Sequence, residues 1–508
     1  MPLPDLIEIV PLDKPVHAEI TVPGSKSITN RALVLAALAD GEVTLEGALW
    51  SEDTQVMVDC LQRLGFEVRV ELDPHEFCNR TITVRGRGGE IPNSGSAEKP
   101  LELFVGNAGT AARFLAAMVC LGHGVYRLSG VPRMHERPQA ALFKALRELG
   151  YRVDSENGND KLPARMCGAR LCEPQRLAGG DAAGHRPALR RCSVSIEESS
   201  QFASALLLCA ERGGWEVEVI GENAEESPYV AMTREMMKVF PKRSAKFGIE
   251  PDASSGSYFW AAGWLSSVPK ISEKHTPTGT TFSIPQGMER WTRVLDAPAG
   301  DLPASFTNRS FRPELELKTV AVRSWPSSRW QIDSDFPRYL PTLSSTSRRT
   351  DLGDAIMTLV VVCADQDGGR DWHVHSIKIE DRGTLHRQIL FTDLDRLRVQ
   401  ECERVVALRT ELTKCGAKVI ETGDMLEVYP SKLHGAEIET YNDHRMAMCF
   451  AVLGLKVPGI KLRKPSCVKK TFPNFFQKLA AAPPQGLGVT IRDGHTGRKL
   501  SHDELFAD

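Results

Sequence analysis

The chain lacks the long apolar runs of a membrane protein. Its apolar stretches, Ala32 to Ala39 and Ile356 to Ala364, fall well short of the roughly 20 residues that a bilayer-spanning helix needs. Charge of one sign is missing too: 63 Lys and Arg face 65 Asp and Glu, for a formal net charge of -2. No basic excess exists to hold a nucleic-acid backbone, and no polybasic run to dock on a membrane surface. Any anionic ligand must therefore be held by local clusters of cations. No CxxC pair occurs among the twelve cysteines. Cys60, Cys120, Cys209 and Cys449 sit in apolar, helix-like stretches and read as small buried hydrophobes. Cys167, Cys172, His185 and Cys192 share one irregular region but no standard ligand spacing, so no metal site is expected. The opening residues, MPLPDLIEIVPLDK, have no basic start leading into an apolar stretch. No signal peptide is expected, and a reducing cytoplasmic setting is the default expectation.

What is present is ordinary in bulk and unusual in arrangement. At 508 residues, 42% hydrophobic and 25% charged, the chain has the size and composition of a globular protein of two large domains. Six similar segments recur: Ser25 to Ala39, Asn107 to Cys120, Ser199 to Ala210, Asp252 to Leu265, Asp351 to Ala364 and Asn442 to Leu455. Each opens with small polar residues that cap helices and continues as an Ala- or Leu-rich helix, apolar on most faces. An amphipathic helix often follows. Three of these end alike, in LGFEV (Leu64 to Val68), LGYRV (Leu149 to Val153) and CGAKV (Cys415 to Val419). The glycine suits a left-handed helix cap, with a strand beginning after it. The unit reads as strand, buried helix, strand, surface helix, strand, and six units suit an α/β protein of two similar domains with three units each. Residues 85 to 100 and 155 to 192 read as loop insertions. Ile271 to Thr350 shows no clear second helix, and the tail after residue 484 is expected to be peripheral.

Cations gather at the helix openings. Lys26, Ser27 and Arg31 flank the first; Asn107, Gly109, Thr110 and Arg113 form the second; Ser199, Ser200 and Gln201 form the third. PRMHERP carries Arg133 and Arg137, NDHR carries Asp443, His444 and Arg445, and KKTFP carries Lys469 and Lys470. A helix N-terminus offers free N–H groups and partial positive charge, so a cation beside it makes an anion site. GSKS is no nucleotide-binding P-loop, because Ser25 interrupts the required order and the upstream glycine is missing. If these ends converge they form a cleft for a small substrate with several negative charges, and Asp354 and Glu401 supply carboxylates for proton transfer.

PGSKSITNRAL, LFVGNAGTAARFLAA, PRMHERP, ESSQFASALLL, DASSGSYF, DAIMT, YNDHRMAMCF and KKTFPNFF, in that order from Pro23 to Phe476, resemble the signatures of the 5-enolpyruvylshikimate-3-phosphate synthase family. The resemblance implies an enolpyruvyl transferase fold: two α/β domains of three βαβαββ-like units, residues 1–24 with 251–484 and residues 25–250, closing on substrates between them. It implies transfer of the enolpyruvyl group of phosphoenolpyruvate to the 5-hydroxyl of shikimate 3-phosphate, by addition and elimination, in a monomer with no metal or organic cofactor. Shikimate 3-phosphate would be held by Lys26, Ser27, Arg31, Ser199, Ser200, Gln201, Tyr229, Asp354, Arg396 and Gln400. Phosphoenolpyruvate would lie against Lys26, Asn107, Gly109, Thr110, Arg133, Gln201, Arg404, His444, Arg445 and Lys470. Asp354, Glu401 and Lys26 would be catalytic.

The chain departs from that family in several places. Phe114 stands where many members have proline. Arg396 and Gln400 stand where the family has asparagine and lysine; in a helix the two would share a face, and Arg396 would replace the lysine's charge. Glu226 stands for a serine, with Ser227 beside it. Gln286-Gly287-Met288 is the remnant of a Gln-Gly-Asp helix. The related transferase acting on a UDP-amino sugar fits less well, since PRMHERP has no cysteine. A non-catalytic relative rests only on Arg396, Gln400 and Glu226.

Overall fold

The computed structural model describes residues 3–168, 190–221, 227–267, 273–276, 279–282, 320–365 and 388–507. All six recurring segments form helices: Lys26–Leu38, Gly109–Met118, Ser200–Gly213, Ala253–Ser267, Ile356–Ala364 and His444–Gly454. Their apolar surface runs nearly all the way round, so each must be buried on most sides. Every residue of Gly109–Met118 and of Ile356–Ala364 is buried. Within residues 26–213 the three inner helices pack on one another, and the later three do the same.

Around four of the six inner helices the chain repeats one topology. The strand before the helix and the strand after it pair in parallel, as a helical crossover requires. Leu101–Phe104 lies parallel to Val125–Ser129, Arg190–Ser195 to Trp215–Ile220, Thr346–Ser347 to Ile389–Thr392, and Glu437–Glu439 to Ile460–Arg463. An outer helix and an antiparallel pair complete the fullest units. After the outer helix Glu52–Arg63, for example, Glu67–Leu72 pairs with Asn79–Arg87. The three matching exits behave alike. Gly65, Gly150 and Gly416 take φ of +90°, +90° and +91°, and the next residue's N–H reaches back to Leu61, Leu146 and Leu412. That six-to-one bond closes the helix and turns the chain into a strand.

Two hydrophobic cores result. One draws on residues 28 to 249; the other draws on residues 3 to 22 and 258 to 507. The chain crosses between them on two adjacent strands, where Gly24 bridges Pro251, Ser25 N–H donates to Glu250 O at 2.8 Å and Asp252 N–H to Pro23 O at 2.8 Å. A Cβ on Gly24 would stand 2.0 Å from the Gly47 carbonyl oxygen, so only glycine fits this crossing.

Two expectations change. The tail is not peripheral: Ile491–Asp493 pairs with Leu6–Ile9, and Leu487, Val489, Ile491, Leu500 and Leu505 are buried in the second core. Sparse apolar residues at sheet spacing hid this strand. The insertion at 155–192 contains Ala164–Cys167, which pairs with Val125–Ser129 and Val153–Ser155. Among the described residues of 271–350, the 3-10 turn Ile332–Asp335 leads into the helical turn Phe336–Tyr339. Glu226, Cys172, His185 and Gln286-Gly287-Met288 lie outside the described residues.

Candidate active site

The N-terminal ends of the inner helices meet at a cleft between the two cores. Its lining brings together Lys26, Ser27, Arg31, Thr110, Ser199, Ser200, Gln201, Tyr229, Asp354, Arg396, Gln400, Glu401, Arg404, His444 and Arg445. Residues 400 apart in sequence thus share one surface because helices that start on the same side of each core point their first turns the same way. Asn107, Gly109 and Lys470 border it: Lys470 Nζ donates to Asn107 O at 3.3 Å, and Arg113 donates to Gly109 O at 3.1 Å.

On the 28–249 side the cations are met by neutral groups. Arg31 is 2% exposed. Its guanidinium donates to the hydroxyls of Thr233 and Ser204 and to the carbonyls of Ser27 and Tyr229, and stacks over Phe114 with 5.3 Å to the ring centroid. The aromatic ring at Phe114 therefore serves as a platform for that arginine. Arg113 donates to Gly109 O and Pro138 O, and Arg137 to Asn107 O. Burial pushes Arg31 down to about 10 and Arg113 well below its ordinary value, the latter further depressed by Arg137. Lys26 is the exception, paired with Asp53 at 3.0 Å. Ser199 caps its helix, accepting from Gln201 N–H, and Gln201 Nε2 donates to Thr110 Oγ1 at 3.3 Å.

On the other side the cations are paired. Asp354 stands just ahead of helix Ile356–Ala364. It accepts from Arg348 at 2.7 Å and faces Arg445 at 3.2 Å and Arg404 at 3.6 Å. Arg404 opens helix Arg404–Lys414, is 1% exposed, and also holds Asp443 at 2.7 Å and Glu401 at 2.8 Å. Glu401 takes Lys470 on its second oxygen at 2.9 Å. One guanidinium thus separates two carboxylates. Burial alone would raise the proton affinity of both. Arg445, Arg348 and Arg404 outweigh it at Asp354, and Lys470, Arg404 and Arg137 outweigh it at Glu401, so both are held well below the usual carboxylate range. His444, 2% exposed, has neither ring nitrogen hydrogen-bonded, and burial keeps its imidazole neutral. Asp333, which accepts from Ser254 and from Ala355 N–H, is pushed up by burial and by Asp354.

Arg133 stands at the edge of the cleft and is not fully drawn in: half-buried on the turn Pro132–Glu136, it pairs with Glu136 at 2.5 Å and reaches the carbonyl of Gln400, a cleft residue, at 3.1 Å. Arg137 takes the inward place. It follows that turn and precedes a proline, so its extended backbone swings the side chain into the cleft. Both arginines are in one short motif, and only the end of the helical turn distinguishes them. Arg396 and Gln400 do not share a helical face either. Asp395–Val399 is a 3-10 turn; Arg396 donates across the cleft to Ile196 O, while Gln400 Oε1 accepts from Arg404. Sequence reasoning missed Arg348 and Asp333 entirely; the only available signal was Arg348 lying six residues before Asp354. Among the described residues, no group of three or more His, Cys, Asp or Glu side chains is arranged to hold a metal, and no helix is long and apolar enough to cross a membrane.

Comparison with known proteins places this geometry. The family EPSP synthase (3-phosphoshikimate 1-carboxyvinyltransferase) matches residues 12–242 and 384–479. A 3-phosphoshikimate 1-carboxyvinyltransferase of Trichormus variabilis is 34% identical over 495 residues, covering 94% of this chain and 98% of the relative. The chloroplastic enzyme of that name from Solanum lycopersicum is 32% identical over 501 residues, covering 94% and 84%. Among solved structures, EPSP synthase from Acinetobacter baumannii aligns with a TM-score of 0.60 at 17% identity, over 96% of this chain and 99% of that one. The enolpyruvyl transferase NikO from Streptomyces tendae aligns at 0.55 and 16% identity, over 97% and 99%. Those two likenesses establish the enolpyruvyl transferase fold, and the sequence relatives and the family match extend it to kinship: the chain belongs to the EPSP synthase (3-phosphoshikimate 1-carboxyvinyltransferase) family.

Proposed function

We propose that the chain transfers the enolpyruvyl group of phosphoenolpyruvate to the 5-hydroxyl of shikimate 3-phosphate and releases phosphate, the step of the shikimate pathway that leads on to chorismate and the aromatic amino acids. The observation that carries this reading is the pair of ionised carboxylates, Asp354 and Glu401, on either side of Arg404 within a cleft lined by arginines. Two substrates that together carry several negative charges need such a surface. The ionised carboxylates supply what the chemistry requires in addition.

Asp354 takes the proton of the attacking hydroxyl as its oxygen bonds to C2 of phosphoenolpyruvate. Glu401 gives a proton to C3. It is ionised in the free protein, and the approaching dianion raises its proton affinity so that it can carry that proton. In the second step Glu401 recovers a C3 proton, the C2–O bond to phosphate breaks, and Asp354 returns its proton to the leaving phosphate. Lys26 balances the charge building on that group. The acceptor lies along Ser27, Arg31, Ser199, Ser200 and Tyr229. Phosphoenolpyruvate lies against Thr110, Gln201, Arg404, His444, Arg445 and Lys470, with Arg137 in the role expected of Arg133. We take the two cores as domains that close on the substrates, since water expelled from the cleft strengthens every one of these charges. We take the chain as a monomer, and the free, mostly buried cysteines are in keeping with a cytoplasmic setting.

The test is phosphate release by purified protein given both substrates, against each alone. Release that needs both supports the transfer. Folded protein that binds shikimate 3-phosphate but releases nothing overturns it in favour of a binding protein.

A further inference from the structure

The acceptor in this reading carries a phosphate, and a phosphate in a cleft needs a cation. The family's lysine position is Gln400 here, and its amide oxygen is already engaged by Arg404. Two other cations stand close by. Arg396 donates to Ile196 O, which brings it beside the stretch leading to Ser199 and Ser200. Arg348 is 8% exposed, gives one nitrogen to Asp354, and keeps its Nε buried without a partner. Both line the cleft with Tyr229.

Neither charge is balanced on its own account. Arg396 makes no ion pair among the described residues, and Asp354 is divided among Arg348, Arg404 and Arg445. Burial, and then the like charge of Arg348, depress Arg396 to about 10. Two neighbouring guanidinium groups cost free energy in a buried site unless an anion lies between them. Arginine's planar fork suits a phosphate on one edge while another edge holds a carboxylate.

We propose that Arg348 and Arg396 form a paired guanidinium subsite for the phosphate of the acceptor, with Ser199 and Ser200 opposite. This rests on the acceptor reading above and deepens it. Arg348 is then a positioning residue as well, because it bridges the bound phosphate and Asp354, so that the phosphate end of the acceptor and its reacting hydroxyl are registered by one side chain. Arginines outside the family's signatures would do the work that lysine does in other members.

Calorimetric binding of shikimate 3-phosphate and of unphosphorylated shikimate decides the point without turnover. In the parent protein the phosphorylated ligand binds more tightly. In Arg348→Met and in Arg396→Met that preference falls about ten- to hundredfold, the scale of a lost charge-assisted hydrogen bond, whereas Arg348→Lys keeps most of it. An unchanged preference in folded variants, with both ligands weakened alike, overturns the subsite and leaves Arg348 a structural partner of Asp354. Should Arg348→Met fail to fold, Arg396→Met carries the same test. A parent that shows no preference for the phosphorylated ligand overturns the proposal outright. Phosphate release is measured separately, so loss of the transfer reading and loss of the subsite are told apart.

Discussion

The two walls of the cleft are both rich in arginine and treat it in opposite ways. On the wall from residues 26–229, Arg31, Arg113 and Arg137 donate to hydroxyls and carbonyls only. Those partners satisfy hydrogen bonds and leave the charge in place, so burial drags Arg31 and Arg113 down. On the wall from residues 252–471, Arg404 and Arg445 face carboxylates. Burial opposes their charge there too, and Asp443, Glu401 and Asp354 at Arg404, or Asp354 at Arg445, more than offset it. The lesson is a division of labour. An uncompensated wall waits for an anion, while a paired wall keeps its carboxylates ionised for proton transfer. Lys26 with Asp53, and Arg396 without an acid, are the exceptions on each side.

The largest effect should come from the paired wall's chemistry. Asp354→Asn and Glu401→Gln should each lower kcat by about a thousandfold, within the range for loss of general acid–base catalysis, as read by phosphate release at saturating substrates. A loss of less than tenfold in both would break the assignment of proton transfer to this wall. The uncompensated wall comes next. Arg137→Ala should cost about a hundredfold in kcat/KM for phosphoenolpyruvate, and Arg133→Ala less than about tenfold, since Arg137 is buried in the cleft lining while Arg133 is half-exposed and tied to Glu136. The reverse order would restore the arginine first expected.

Acid stability sharpens the contrast further. Asp354 and Glu401 are depressed in the folded state, so the stability they contribute is complete above the ordinary carboxylate range, about pH 4, and is lost as pH falls through and below it. Unfolding in denaturant between pH 3 and 7 should show that loss, with a shallower slope in Asp354→Asn. A smaller effect belongs to His444. Its folded form stays neutral, whereas the unfolded chain takes up a proton below about pH 6.5, so stability falls as pH drops through that value. His444→Gln should flatten the curve between roughly pH 6.5 and 5; an unaltered curve would mean the imidazole is not held neutral.

Much of this is legible in the sequence. Six polar openings on all-round apolar helices announced both the inner helices and the end at which the cations collect, because capping and burial leave local marks. The glycines at 65, 150 and 416 did the same for three helix exits. What stayed hidden was set by neighbours distant in the chain. Arg133 and Arg137 share a motif, and only the length of one helical turn sends the second inward. Arg348 became visible only when Asp354 was found beside it. The final strand, Ile491–Asp493, is three residues long and is held by its pairing with Leu6–Ile9, so it left no periodic signal of its own.

The central claim, that one wall is uncompensated and the other paired, is tested most directly by the unfolding free energies of Arg113→Met and Arg404→Met without ligand. Arg404→Met takes from the fully buried Asp443 its close ion-pair partner, leaves Glu401 to Lys470 and Asp354 to Arg348 and Arg445, and should lose about 3–5 kcal/mol, the cost of breaking a buried pair. Arg113→Met removes a buried charge that has no ion pair among the described residues, and should stay within about 1.5 kcal/mol of the parent. Equal losses in the two variants would contradict the account.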